Sequence, residues 1–172
     1  RDAGGESRPY SIASGVDEDV LRFLIRRLPG GVVSEGLAAR EPGQAVLASD
    51  PYGYFRPLGD GAPGVFIGTG TGIAPILSVL RSDPDATPFR VLYGVRQVED
   101  AVSYDELSAR GPTTLAVSRE SVDGHHHGRV TDLLPSLDAP RDTHYYLCGL
   151  DAMIEDVTDW LARRSEHLVS VG

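Results

Sequence analysis

The sequence predicts an α/β fold in which a parallel sheet flanked by helices follows a shorter antiparallel β portion. Three observations carry this. From Val65 onward, apolar strand-like runs alternate with turns and helical patterns four times, the order that builds a parallel sheet. Before residue 62, β-like runs are broken by Pro29, Gly30 and Gly31 and by Pro42 and Gly43. Between the two textures, Pro57 to Gly64 (PLGDGAPG) has the composition of a connector. Two domains are therefore expected, residues 1–62 and 63–172.

In the first part, Val20 to Leu28 and Ala45 to Ser49 read as antiparallel strands, too few to close a barrel alone. In the second, strands are expected at Val65 to Gly68, Phe89 to Val95, Thr114 to Ser118 and His144 to Cys148. Helices are expected at Ile73 to Arg81, Tyr104 to Ala109, Val130 to Leu134 and Ala152 to Arg164. Ser103 and Glu106 have capping-box spacing. The last helix carries Met153, Ile154, Val157, Trp160 and Leu161 on one face, with Arg163 and Arg164 in its final turn, where cations suit the helix dipole.

The bulk numbers narrow the function. With 172 residues, 41% hydrophobic and 24% charged, the chain can bury a real core. A net charge of −9 disfavours a nucleic-acid or anionic-membrane surface. No apolar run approaches the roughly 20 residues of a membrane helix and no leader pattern opens the chain, so a cytoplasmic location is expected. Cys148 is the single cysteine, which excludes an internal disulfide and a cysteine-ligated iron–sulfur cluster in this sequence. All 16 basic residues are arginine, which removes lysine-dependent phosphate loops and Schiff-base chemistry but keeps bidentate phosphate recognition. His125, His126 and His127 do not form a metal site: consecutive side chains do not converge on one ion, and no second cluster accompanies them. They read as a loop between Gly124 and Gly128.

The strongest local signal is VFIGTGTGIAP, Val65 to Pro75. An apolar strand runs into a glycine-rich turn and then into a helix, the arrangement that holds a nucleotide pyrophosphate. Gly68, Gly70 and Gly72 permit a tight turn and close approach, Thr69 and Thr71 add hydroxyls, and the helix start offers unpaired N–H groups. Pro75 fits the first helical turn, where its missing N–H is harmless. Further along, VSRE (Val117 to Glu120) follows a strand end where Rossmann-like folds discriminate NAD from NADP. Ser118 and Arg119 offer a hydroxyl and a guanidinium fork to a 2′-phosphate, so NADP is favoured.

In chain order, RPYS (Arg8 to Ser11), GVVS (Gly31 to Ser34), GTGTGIAP (Gly68 to Pro75), GVR (Gly94 to Arg96), VSRE, GRV (Gly128 to Val130) and CGLDAM (Cys148 to Met153) follow one another. This succession resembles the ferredoxin-NADP reductase family, and most closely its bacterial ferredoxin/flavodoxin-NADP reductases. The resemblance implies that residues 1–62 are part of an FAD-binding β-barrel and that 63–172 bind NADP. It implies that Arg8 pairs with the FAD pyrophosphate, Tyr10 stacks on the flavin and Ser11 lies by flavin N5. Backbone N–H groups of Gly31 to Ser34, Val33 among them, and the Ser34 hydroxyl would meet FAD phosphates. Without the family, Arg8 and Tyr10 read as an ordinary strand pair, and Ser34 as an N-cap. The resemblance also implies that Arg96 and Arg129 join Arg119 around the 2′-phosphoadenosine. Cys148, with Gly149 and Met153, would lie beside the nicotinamide and align it, Ser11 and Cys148 being the residues nearest the reacting atoms. As bare residues, the arginines read as surface ion-pair partners and Cys148 as a buried small hydrophobe.

The family's barrel has further strands before the position of Arg8, and its chains run on past the position of Gly172 to an aromatic residue; this sequence therefore reads as the core of a longer protein. The implied function is an FAD- and NADP-dependent oxidoreductase passing single electrons to or from ferredoxin or flavodoxin. Two rivals stand beside it. One is the reductase component of an oxygenase, or a flavin reductase; the other is a non-catalytic NADP-binding module with an incomplete flavin site.

Overall fold

The computed structural model describes residues 5–83, 88–164 and 168–171. Its centre is a parallel sheet built from β1 (Gly64–Thr69), β2 (Arg90–Val95), β3 (Thr113–Val117), β4 (His126–His127), β5 (His144–Cys148) and β6 (Leu168–Val171), in the spatial order β4-β3-β2-β1-β5-β6. Every neighbouring pair runs parallel. The four predicted strands are present within a residue of their expected ends. Helices α2 (Ile73–Ser82), α3 (Tyr104–Arg110) and α4 (Asp151–Arg164) follow β1, β2 and β5, and α1 (Val32–Ala38) precedes the sheet.

The sheet is covered on both faces at β1, β2, β3 and β5, so these strands are mostly apolar. In β1, Val65 and Ile67 point to the layer containing Met153, Val157 and Leu161 of α4, with Ile154 and Trp160 packed against it. Phe66 points the other way, to Ile73, Ile76, Leu77 and Leu80 of α2 and Leu107 of α3. Tyr146 belongs to that second layer and stacks on Phe66 at 4.8 Å. The period-2 alternation of a strand and the one-sided stripe of α4 are thus both satisfied.

Several expectations are corrected. The antiparallel portion reduces, among the described residues, to one bridge between Ile12 and Phe23. Val20 to Leu28 and Ala45 to Ser49 form no ladder. A strand needs a partner to satisfy its N–H and C=O groups, and Leu21 and Leu47 stay about two-thirds exposed. The histidine loop contains β4, which pairs with Ala116 and Val117, and Gly128 N–H donates to Val117 O at 3.0 Å. The expected helix from Val130 is a 3₁₀ helix reaching Ser136, with Pro135 inside it. The capping box at Ser103 does not form: Ser103 sits at φ 58° with no side-chain cap, and the Glu106 carboxylate is engaged by Arg81 instead. Ser34 is not an N-cap either. Gly31 caps α1, and Ser34 Oγ accepts from Leu28 N and donates to Gly31 O, tightening the turn. Residues 1–4, 84–87, 165–167 and 172 of the expected domains lie outside the described residues.

Among the described residues no helix is long and apolar enough to cross a membrane. No group of three or more His, Cys, Asp or Glu among them could hold a metal ion.

Candidate dinucleotide site at the carboxyl ends of the strands

Strand order reverses between β1 and β5, and a crevice opens beyond the carboxyl ends of these strands, where open α/β sheets bind ligands. The crevice is built by close approach. A Cβ at Gly72 would stand 2.4 Å from Cys148 O, and one at Gly149 would stand 2.0 Å from Thr69 Oγ1. Only glycine lets the turn after β1 lie directly on the end of β5. Thr69 Oγ1 completes the junction by accepting from Leu150 N at 2.9 Å. Residues Gly70–Gly72 form a 3₁₀ turn leading into α2, and neither the turn nor the helix has a side-chain cap at its start. The Ile73 N–H is bonded back to Gly70 O within the turn, and the helix N-terminus sets its partial positive charge at this end of the crevice.

The crevice widens into an open cleft of about 1520 Å³. Thr69, Gly70, Thr71 and Gly72 form its floor, with Cys148, Gly149 and Met153 beside them. Arg96, Ser118, Arg119 and Arg129 line one end, at the carboxyl ends of β2, β3 and β4. Arg8, Tyr10, Ser11, Val33 and Ser34, from the N-terminal part of the chain, line the same cleft. The structure thus brings together on one surface residues that are up to 145 positions apart in sequence (Arg8 to Met153). Gly68 is the exception. It lies within β1, and a Cβ there would meet Ile76 Cδ1 at 3.1 Å, so it serves helix-to-strand packing instead of the cleft. A second cavity, of about 40 Å³ beside Arg81 and Glu106, is too small for a nucleotide.

The polar groups are arranged to leave cations free at the far end. Arg119 N–H donates to Arg96 O at 2.9 Å, which holds the two arginines on adjacent strand ends. Among the described residues neither makes an ion pair, nor does Arg129. Glu120, the carboxylate next in sequence, accepts from Val98 N and so fastens the β2 loop. Asp132 accepts from Arg129 N at 2.7 Å and caps the 3₁₀ helix. Arg8, by contrast, pairs with Glu6 at 3.3 Å.

Cys148 is 6% exposed, and burial pushes its thiol up to about 11. At neutral pH it is a protonated, compact side chain and no nucleophile. Tyr93 was not anticipated. Its hydroxyl reaches Gly70 O at 3.3 Å and Asp100 O at 3.2 Å, bracing the glycine turn against the β2 loop, and burial pushes it up to about 12. The signal was present in its place directly before the GVR motif. Leu150 and Asp156, neither of them singled out, also line the cleft, as does His127 of the histidine loop.

Comparison with known proteins decides the family. Residues 66–159 match the oxidoreductase NAD-binding domain. The chain is 36% identical over 181 residues to ferredoxin–NADP reductase B of Sorangium cellulosum, covering 93% of this chain and 73% of that protein. It belongs to the ferredoxin-NADP reductase family. Within that family it is also 35% identical over 175 residues to the reductase component of the naphthalene 1,2-dioxygenase/salicylate 5-hydroxylase systems of a Ralstonia species, covering 91% of this chain and 52% of that protein. Among solved structures, a ferredoxin NADP+ reductase from Neisseria gonorrhoeae with bound FAD and NADP superposes with a TM-score of 0.82 at 23% identity, over 95% of this chain and 78% of that one. The Amycolatopsis cytochrome P450 reductase superposes with a TM-score of 0.77 at 27% identity, over 99% and 59%. The chain spans about three-quarters of the Sorangium reductase and about half of the oxygenase reductase component.

Proposed function

We propose that this chain is the cofactor-holding part of an oxidoreductase that exchanges hydride between NADP(H) and FAD and single electrons with a ferredoxin or flavodoxin. The observation that carries the reading is the cleft, which joins a pyrophosphate-type glycine turn and an arginine-rich end to a wall formed by Arg8, Tyr10 and Ser11. When bound, the two cofactors supply the redox chemistry, one moving hydride and the other splitting the electron pair.

The protein's own residues bind and orient. The turn Gly70–Gly72, with the positive end of the α2 dipole behind it, and the Thr71 hydroxyl hold the NADP pyrophosphate. Arg96, Arg119 and Arg129, unpaired among the described residues, with Ser118 surround the 2′-phosphate, and the engagement of Glu120 by Val98 removes a competing carboxylate. This arrangement supports NADP over NAD. Residues 1–62 form the flavin side and 63–172 the nucleotide side. There Tyr10 presents a flat ring, Ser11 a hydroxyl and Arg8 a cation exchangeable from Glu6. Ser34 Oγ is committed within its turn, and the first α1 amide bonded inside the helix is that of Glu35, so the N–H groups of Val32, Val33 and Ser34 are the phosphate donors. Protonated Cys148, with Gly149 and Met153, packs beside the nicotinamide and fixes its distance from Ser11; it exchanges no proton.

The oxygenase reading is kept as a second one because the naphthalene dioxygenase and propane monooxygenase reductase components are 32–35% identical to this chain. Acceptor assays separate the two: turnover with free ferredoxin or flavodoxin supports the first, and turnover with an oxygenase alone supports the second. Calorimetric titration tests the nucleotide reading itself. NADP+ binding at least ten times tighter than NAD+ is expected, and equal affinities would refute the assigned role of Ser118 and Arg119.

A further inference from the structure

Helix α2 begins at the glycine turn and ends against the segment that follows Ser11. Ten residues at 1.5 Å each make it a rod of about 15 Å. Its last turns are fastened to the turn that follows Ser11. Ser78 Oγ donates to Ser14 O at 2.8 Å, and Val16 N donates to Ser82 Oγ at 3.1 Å. Arg81 forms the hub. Its Nε and Nη2 donate to the two carboxylate oxygens of Glu106 on α3 at 2.7 and 2.6 Å, and its Nη1 donates to Ala13 O at 2.7 Å. Gly15 lies so close beneath that a Cβ there would stand 2.8 Å from the Arg81 carbonyl carbon. Ala13 and Ser14 are buried, and Ala13 N–H in turn donates to Arg22 O.

We infer that Arg81 is a positioning residue: through α2 it sets the separation between the nucleotide turn at Gly70–Gly72 and the flavin-side residues Tyr10 and Ser11. The inference rests on the proposed function, since it presumes two rings that must meet. A guanidinium suits this role because its planar fork is held by both carboxylate oxygens of Glu106, leaving one N–H in a fixed direction for Ala13 O. Glu106 is therefore part of the device, holding the fork without touching the N-terminal segment. Hydride transfer requires reacting atoms about 3–3.5 Å apart, so loss of this register lowers the rate more than the affinity.

The test compares the wild-type full-length protein, loaded with FAD, with Arg81→Met and with Arg81→Met/Glu106→Gln, which leaves no carboxylate unpaired. The readouts are flavin content, NADP+ affinity, anaerobic flavin reduction by NADPH across a concentration series, and amide hydrogen exchange. Both variants are expected to keep their flavin, to bind NADP+ within twofold of wild type and to show a half-saturating NADPH concentration within twofold. Their saturated reduction rate is expected to fall at least tenfold. Exchange should accelerate across residues 11–16 and remain unchanged across 70–73. A saturated rate within twofold of wild type, alongside faster exchange at 11–16, would make the clasp merely structural and overturn the inference. A loss of NADP+ affinity matching the loss of rate would overturn it too. If wild-type flavin is not reduced by NADPH at all, the proposed function fails, and the inference falls with it for that separate reason.

Discussion

Replacing Gly72 with alanine isolates the close approach on which the cleft depends. Gly72 has φ −63°, a conformation open to any residue, so the penalty is contact alone. The added Cβ would stand 2.4 Å from Cys148 O, 2.6 Å from Cys148 C and 2.7 Å from Gly149 Cα. All three are backbone atoms, so no side chain can rotate away. Restoring an ordinary 3.4 Å contact to the oxygen requires a separation of 1.0 Å (3.4 minus 2.4) between the turn and the end of β5. Overpacking of this kind costs about 1–3 kcal/mol, or roughly 2–12 °C in Tm for a domain of this size. A shift of about 1 Å in the nicotinamide-side wall also lowers the reduction rate by about 100-fold. Gly70→Ala is the control. Gly70 has φ +53° but nothing within 4 Å of a built Cβ, so its cost is conformational, about 1 kcal/mol. Thermal unfolding of both variants, with stopped-flow reduction of the flavin-loaded proteins, reads the difference. Gly72→Ala as stable and fast as wild type, or more stable than Gly70→Ala, would refute the close-approach argument.

Other expectations follow from the same geometry. Arg119→Ala should weaken NADP+ binding about 10- to 100-fold, the loss of a charged hydrogen-bond donor worth ~1.5–3 kcal/mol, while leaving NAD+ binding unchanged by calorimetry. Because burial pushes the Cys148 thiol up to about 11, iodoacetamide labelling of the folded protein should be slow, should still climb about tenfold per pH unit from pH 7 to 9 without levelling off, and should be fast in urea. Labelling that levels off between pH 8 and 9, as that of an ordinary thiol at about 8.5 does, would contradict this. Arg81 holds the Glu106 carboxyl below its ordinary 4.5. A depressed folded-state value stabilises the fold above the unfolded carboxyl range and loses that contribution as pH falls through the folded value. The stability gap between wild type and Glu106→Gln should therefore be constant near neutrality and close below about pH 4.5 in urea titrations.

The parallel sheet and the floor of the cleft were legible in the sequence because both depend on local and strongly patterned residues. Val65 to Pro75 must be apolar, then glycine, then apolar for a strand, a close contact and a helix to succeed one another. Tertiary partners decided the rest. His126 and His127 carry no period-2 apolar signal, yet the edge of β3 recruits them as β4. Glu106 has the spacing of a capping residue but is claimed by Arg81, 25 residues away in sequence. Ser34 looks like a cap and instead closes the turn from within the helix. Gly68 reads as a phosphate glycine, whereas its missing side chain makes room for Ile76. Val20 to Leu28 and Ala45 to Ser49 have strand composition, but no neighbouring strand among the described residues completes their hydrogen bonds.

The measurement that bears most directly on the account is the visible spectrum of the protein after loading with FAD and removal of the excess, followed anaerobically by NADPH and, in parallel, NADH. The cleft geometry predicts a yellow protein whose flavin band bleaches with NADPH and much less with NADH. A colourless protein, or a bound flavin that NADPH leaves oxidised, would contradict the claim that this cleft brings the two cofactors together.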